Sequence, residues 1–171
     1  MGASNMVDQG YAPPPGAVIL GNVNFIPPGL EQNYKESFTY NAIFAAIGAG
    51  VTQSVTVQIQ NDSYFVITQQ AAEIWDSATG NTTNTSPRLA PMTVQITDSS
   101  SGKNLMDQPT PLGNIFGTGE QPHVSLYRAK LFLPGGQITV TLANGMATSQ
   151  RVRISFEGFK VYRVPDQLPT M

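Results

Sequence analysis

The sequence predicts an all-β chain, an antiparallel β-sandwich or jelly roll with an extended Pro-rich N-terminal arm. Three observations carry that expectation. Polar and apolar residues alternate through Val51–Gln60, Met92–Thr97, Gln137–Leu142 and Arg151–Tyr162, the period of a strand with one packed and one wet face. Turn signals fall between the runs: Asn61-Asp62-Ser63, Asp98-Ser99-Ser100-Ser101-Gly102 and Pro134-Gly135-Gly136, with almost no helical periodicity anywhere. Charged residues make up only 12% of the chain, about half the usual share, so strand faces turned to water must carry hydroxyls and amides instead.

The elements follow in order. Residues 1–30 form a segment apart. Pro13-Pro14-Pro15-Gly16 and Pro27-Pro28-Gly29 bracket the apolar pieces Val18-Ile19-Leu20 and Phe25-Ile26. Prolines fix φ and lack an N–H donor, which keeps this stretch out of a central strand and lays it along a surface. Its bare apolar residues are too many for a solvated linker. Tyr11, Pro13, Pro14, Pro15, Val18, Ile19, Leu20, Phe25 and Ile26 are therefore the candidate partner-binding residues. Fully extended, such an arm spans about 90 Å, enough to reach a neighbouring subunit.

Residues 31–164 form the β domain, and 165–171 a short tail. Phe38–Ile47 reads equally as strand or short helix, and Gly48-Ala49-Gly50 ends it. Val51–Gln60 alternates, and Tyr64–Thr68 follows the Asn61–Ser63 turn, with Gln69–Trp75 as its continuation. Asp76–Pro87 is a polar loop. After the strand Met92–Thr97, residues 105–121 are irregular and rich in Pro and Gly. Val124–Leu133 then leads to the last two runs, giving about eight short strands in all. Ile138, Val140 and Leu142 share one face, as do Val152, Ile154, Phe156 and Tyr162 on the next run. A polar, Gly-containing connection joins these two, so they are expected to lie side by side as an antiparallel pair.

At 171 residues the chain makes one domain able to bury about 70% of its unfolded surface. There is no cysteine, which removes disulfides and thiolate chemistry. A formal charge of −2 argues against nucleic acid and anionic membranes as partners. No run is long and apolar enough to cross a membrane as a helix, and the first residues lack the pattern of a signal peptide. Before Pro87 the only basic residue is Lys35. The other Lys and Arg all follow it, while acidic residues are spread through both halves. The two halves are expected to pair within one fold, with pairing between copies as the alternative.

Signatures of chemistry are sparse. His123 is the single histidine, which rules out a two-His metal site. Ser125, His123 and Asp98 supply the residue types of a hydrolytic triad, but no nucleophile elbow surrounds the serine. Asp98–Gly102 lacks the spacing and the bidentate Glu of a calcium loop, and Gly117-Thr118-Gly119 is not followed by a phosphate-binding helix signature. No enzyme, metal or cofactor is expected. Trp75, Tyr64, Tyr34, Tyr11 and Tyr162 are the aromatic residues from which a sugar-stacking platform would be built; core or interface packing is the competing role.

Asp62-Ser63-Tyr64-Phe65-Val66, Pro91-Met92-Thr93-Val94-Gln95-Ile96-Thr97-Asp98 with Ser101-Gly102, and Phe132-Leu133-Pro134 follow one another in that order. Ile138–Asn144 and Val152–Lys160 complete the series. Together, over about residues 50–163, they resemble the small jelly-roll structural proteins of tailed bacteriophage virions, the head decoration or cement type. The resemblance implies a non-enzymatic homo-oligomer that binds the major capsid protein on the outside of the shell, with no catalytic residue. A neck, tail or fibre component of the virion is the alternative within that class, and a carbohydrate-binding β-sandwich is the alternative outside it.

Overall fold

The computed structural model describes residues 35–79, 90–116 and 123–162, together with the backbone of 18–20 and 24–26. Eleven strands and one helical turn follow in order: β1 (Val18–Leu20), β2 (Asn24–Ile26), β3 (Lys35–Ile47), β4 (Thr52–Gln58), β5 (Ser63–Asp76), β6 (Met92–Asp98), β7 (Lys103–Asn104), β8 (Thr110–Pro111), α1 (Leu112–Ile115), β9 (His123–Phe132), β10 (Gln137–Asn144) and β11 (Gln150–Tyr162). Phe38–Ile47, open between helix and strand in the sequence, is strand.

Two antiparallel sheets pack face to face. One has the order β3-β11-β5-β9; the other runs β4-β10-β6-β7, with β8 also bonded to β6. The pairing is nested: β3 with β11, β4 with β10, β5 with β9, β6 with β7. That is one long antiparallel ribbon rolled until its layers meet, the jelly-roll form of the sandwich. Rolling adds the pairs β11–β5 and β10–β6.

This topology corrects one expectation. Gln137–Leu142 and Arg151–Tyr162 are not neighbours in a sheet. β10 lies between β4 and β6, whereas β11 lies between β3 and β5. Side by side, the two strands would turn their apolar faces the same way and leave both to be covered by something else. By crossing to the opposite sheet, β11 sets Val152, Ile154 and Phe156 into the same core as Ile138, Val140 and Leu142. The Asn61–Ser63 turn, which joins β4 to β5, makes the same crossing, since these two strands also belong to different sheets.

The core contains Phe44, Phe65, Phe116, Phe132 and Phe156, all fully buried, on inward positions of the first sheet or just after α1. Gln70 also points inward. Its Nε2 donates to the carbonyl of Ile115 at 2.9 Å, tying α1 to β5. At Thr68 the ladder slips: Ile67 faces Gly158, but Gln69 faces Glu157, so Thr68 is an extra residue. Residues 126–129 of β9 are likewise skipped between Ser125 and Lys130. Beside the bulge β5 and β11 lie close together: a Cβ on Gly158 would overlap the Val66 carbonyl, so only glycine fits there.

The crossings at one end are joined by Asn144. Its Nδ2 donates to the carbonyls of Ile47 (2.9 Å), Thr148 (3.0 Å) and Gly48 (3.2 Å), and its Oδ1 accepts from Met146 N (2.9 Å). Gly145 N reaches the Pro91 carbonyl at 2.8 Å, an approach that a Cβ at this position would block.

Phe156 is 1% exposed and lies midway along β11, so truncation leaves a cavity that the surrounding strands cannot close. Phe156→Ala is expected to lower the unfolding free energy by about 3–5 kcal/mol in chemical denaturation.

Candidate functional site

The residues that the sequence offered for catalysis are dispersed. His123 opens β9 on the outer face of the first sheet, and its Nδ1 lies 3.0 Å from Glu157 Oε2 on β11. The pair spans the intervening strand β5, where His123 stands opposite Ala71 and Glu157 opposite Gln69. Asp98 faces the other way, into the gap between the sheets. Lys130 Nζ stands 3.4 Å from its carboxylate, and Ser101 N donates to Oδ1 at 3.3 Å. Ser125, His123 and Asp98 therefore form no triad.

The aromatic platform is not assembled either. Trp75 and Tyr64 both lie on β5 but eleven residues apart, about 35 Å along a strand. Trp75 is flanked by the guanidinium groups of Arg153, 5.3 Å from its ring centroid, and Arg151, at 5.7 Å. Arg153 also reaches Glu73 at 3.4 Å. Tyr162 sits beside Lys160 and donates to Glu36 at 2.9 Å. Tyr11 and Tyr34 lie outside the described residues, as do Pro13, Pro14 and Pro15. The other arm candidates fall on β1 and β2, which pair with each other in the register Val18↔Ile26 and Ile19↔Phe25. β2 runs close to β9 without joining its sheet.

Two buried charges lie at one end of the sandwich. Lys160 is 3% exposed. Its Nζ donates to Gln60 Oε1, lies 3.8 Å from Asp62 Oδ1 and sits 4.1 Å above the Phe38 ring. Gln60 N in turn donates to the Tyr40 hydroxyl at 3.0 Å. Burial raises the Tyr40 pKa; the Gln60 N–H opposes that effect, and the charge of Asp62 adds to it. Burial also pushes the Asp98 carboxyl up, but hydrogen bonds from Ser101 and the Lys130 ammonium outweigh it and hold the pKa below the usual range. Arg153–Glu73 and Lys160–Asp62 pair the basic second half of the sequence with the acidic first half, within one chain.

The surface with a consistent chemistry is the outer face of the second sheet. Its outward positions are Thr52, Ser54, Thr56 and Gln58 on β4, Gln137, Thr139, Thr141 and Ala143 on β10, and Thr93, Gln95 and Thr97 on β6. None of these carries a charge. They bond sideways to one another: Ser54 to Thr141 (2.8 Å), Thr56 to Thr139 (2.9 Å), Thr139 to Ser99 (2.6 Å), Thr97 to Asn104 (2.8 Å) and Gln137 to Gln58 (2.9 Å). Sequence reading found each polar alternation but not that three of them share one face. The signal was present in the matching Thr/Ser/Gln periods, and only the strand order combines them. Two open hollows flank the first sheet. One, of about 470 Å3, lies along the Thr68 bulge; the other, of about 500 Å3, lies between Asn61–Tyr64 and Leu133–Pro134. Neither gathers convergent catalytic groups, and among the described residues no cluster of three or more His, Asp or Glu is placed to hold a metal ion.

No protein-family model and no curated protein matches the chain. Among solved structures, the chain is similar to dimeric latent PorU from Porphyromonas gingivalis, at 11% identity and a TM-score of 0.32. That similarity covers 81% of this chain and 15% of the PorU chain.

Two expectations follow from the buried charges. Because the folded Asp98 pKa is depressed, its contribution to stability is complete above the unfolded value near 3.9 and is lost as pH falls through the folded value. Asp98→Asn should therefore flatten the loss of stability below about pH 4 in acid titrations followed by circular dichroism. At Lys160 the two partners are unequal. Gln60→Leu removes the nearest acceptor from a buried ammonium and should lower the unfolding free energy by about 1–3 kcal/mol. Lys160→Met leaves Gln60 and Asp62 free to hydrate, so denaturant titration should show a change below about 1 kcal/mol.

Proposed function

We propose that this chain is a non-enzymatic structural subunit of a virion, one that decorates and cements the capsid from outside by bridging subunits of the major capsid protein. The observation that carries the reading is the uncharged, laterally hydrogen-bonded face of β4, β10 and β6. Contact surfaces are depleted in charge at their centres. Here five lateral hydrogen bonds already tie hydroxyls and amides to one another, so covering the face strands fewer polar groups. The jelly-roll body supports the same reading by presenting that face on a rigid, two-layered core. Among the described residues the sugar-binding alternative finds no second aromatic candidate near Trp75, because Tyr64 stands at the far end of the same strand.

Cementing acts by mass action. A protein that binds only assembled shells stabilises them by about 2.7 kcal/mol per site at a hundredfold excess over Kd, and the effect repeats over every site. Shells lacking the protein, mixed with it, are expected to bind it saturably and to rupture at a higher temperature. Thr139→Lys places a charge at the centre of the face and should weaken binding while circular dichroism shows an unchanged fold. A protein that ignores capsids but binds tails or fibres would belong elsewhere on the virion. One that binds neither, yet binds a glycan array through Trp75, would be a carbohydrate-binding module.

A further inference from the structure

Each sheet of the sandwich has two edges, and the two sides of the molecule treat them differently. On one side lie β9, β7 and β8. β9 is interrupted by the skipped residues 126–129, while β7 and β8 are two residues each and carry Lys103 and Pro111. Bulges, short strands, lysine and proline all discourage pairing by another chain. On the other side, β3 and β4 lie at the ends of their sheet orders and pack close to each other. β3 is 13 residues long and β4 is seven, and no described strand bonds to their outer sides. From Ser37 to Asn61 the sequence contains no Asp, Glu, Lys, Arg, His or Pro. Ile43 and Val51 are 45% and 47% exposed there, and Ala45 and Ala46 are exposed as well. Within that neutral stretch the described strands carry one protective feature, a one-residue bulge at Ala45–Ala46; the charges of β3, Lys35 and Glu36, are confined to its first two residues.

We infer that this side is an interface between two copies of the chain. β3 pairs antiparallel with the partner's β3, and β4 with the partner's β4, about a two-fold axis normal to the sheets, so that both layers continue across the dimer. The free ladder calls for a strand as its occupant, and the electrostatics select a second copy. An isologous contact sets a surface against itself, which brings like charges together unless the surface has none. This edge has none over its central length, and it offers a charged partner nothing to pair with. With the axis near Asn41, Lys35 and Glu36 of one copy fall opposite the Ile47 end of the other and do not meet each other. Two stacked edges also give a wider contact than a single strand pair would.

The inference rests on the edge and not on the capsid reading, and its test uses the protein alone. Sedimentation equilibrium of the full chain is expected to show a dimer. Ile43→Lys and Gln53→Lys change exposed side chains on the two edges and should each raise the dimer dissociation constant about a hundredfold or more. Ser125→Lys, on the opposite edge, should leave it unchanged. Amide exchange through Thr39–Phe44 should be slow in the dimer and speed up in the Ile43→Lys variant, while circular dichroism verifies that the body stays folded. If Ile43→Lys fails to fold, Asn41→Lys tests the same edge. A wild-type chain that is monomeric throughout the micromolar range would overturn the inference. So would a dimer that survives both edge substitutions or is broken by Ser125→Lys.

Discussion

Each sheet turns an apolar face inward, and neither of these faces is buried unless consecutive strands change sheets. That constraint organises the molecule. β3 to β6 alternate between layers, and β9 to β11 do so again, so most reversals of the chain must bridge a gap of about 10 Å. A bridging segment leaves sheet hydrogen bonding and brings backbone polar groups to the mouth of the core, where each needs a partner. Asn144 meets that demand at one end by gathering carbonyls from two crossings into a single carboxamide. At the other end the demand is met by longer side chains: Gln60 with Tyr40 and Lys160, and Asp98 with Ser101 and Lys130. The few buried polar groups are thus the closures of the sandwich. They lie at the two ends of the layers, at crossings and, for Asp98, at the β6–β7 hairpin, and the apolar interior between them is interrupted by Gln70, which serves α1.

The same constraint leaves two kinds of surface. The outer face of the first sheet holds ion pairs and cation–aromatic contacts (His123 with Glu157, Arg153 with Glu73 and Trp75). The outward positions of β4, β10 and β6 hold hydroxyls and amides, many of them bonded to one another, and the methyl of Ala143, with no charge among them. Surface ion pairs in water contribute little to stability, but they fix a local charge pattern that an approaching partner must match. A neutral hydroxyl face sets no such condition and loses little on being covered. The two sides of the sandwich differ in a similar way. The β9, β7 and β8 edges are broken or charged, while the β3 and β4 edges are long and neutral. An assembly function draws on the neutral face and the neutral edges.

What the sequence determined by itself was most of the long strands, with Phe38–Ile47 left open between strand and helix, and along them the side to which each residue points. A period of two is a local property of extended backbone, so Val140, Leu142, Ile154 and Phe156 could be assigned to the core without knowing what they touch. The turns at 61–63, 98–102 and 134–136 were equally local, because Gly, Pro, Asn and Ser set them through their own φ preferences. Tertiary structure alone decided which strands are neighbours. Alternation says that a strand has an apolar face but not which sheet it enters, and so β10 and β11 looked like a hairpin when they are opposite walls of one core. Trp75 and Tyr64 share a residue type but not a place: the strand that continues from Tyr64–Thr68 through Gln69–Trp75 holds them at opposite ends. The neutral face was hidden for the same reason. Its residues come from three segments far apart in the chain, and only the rolled ribbon, by placing β10 between β4 and β6, brings their hydroxyls within hydrogen-bonding reach.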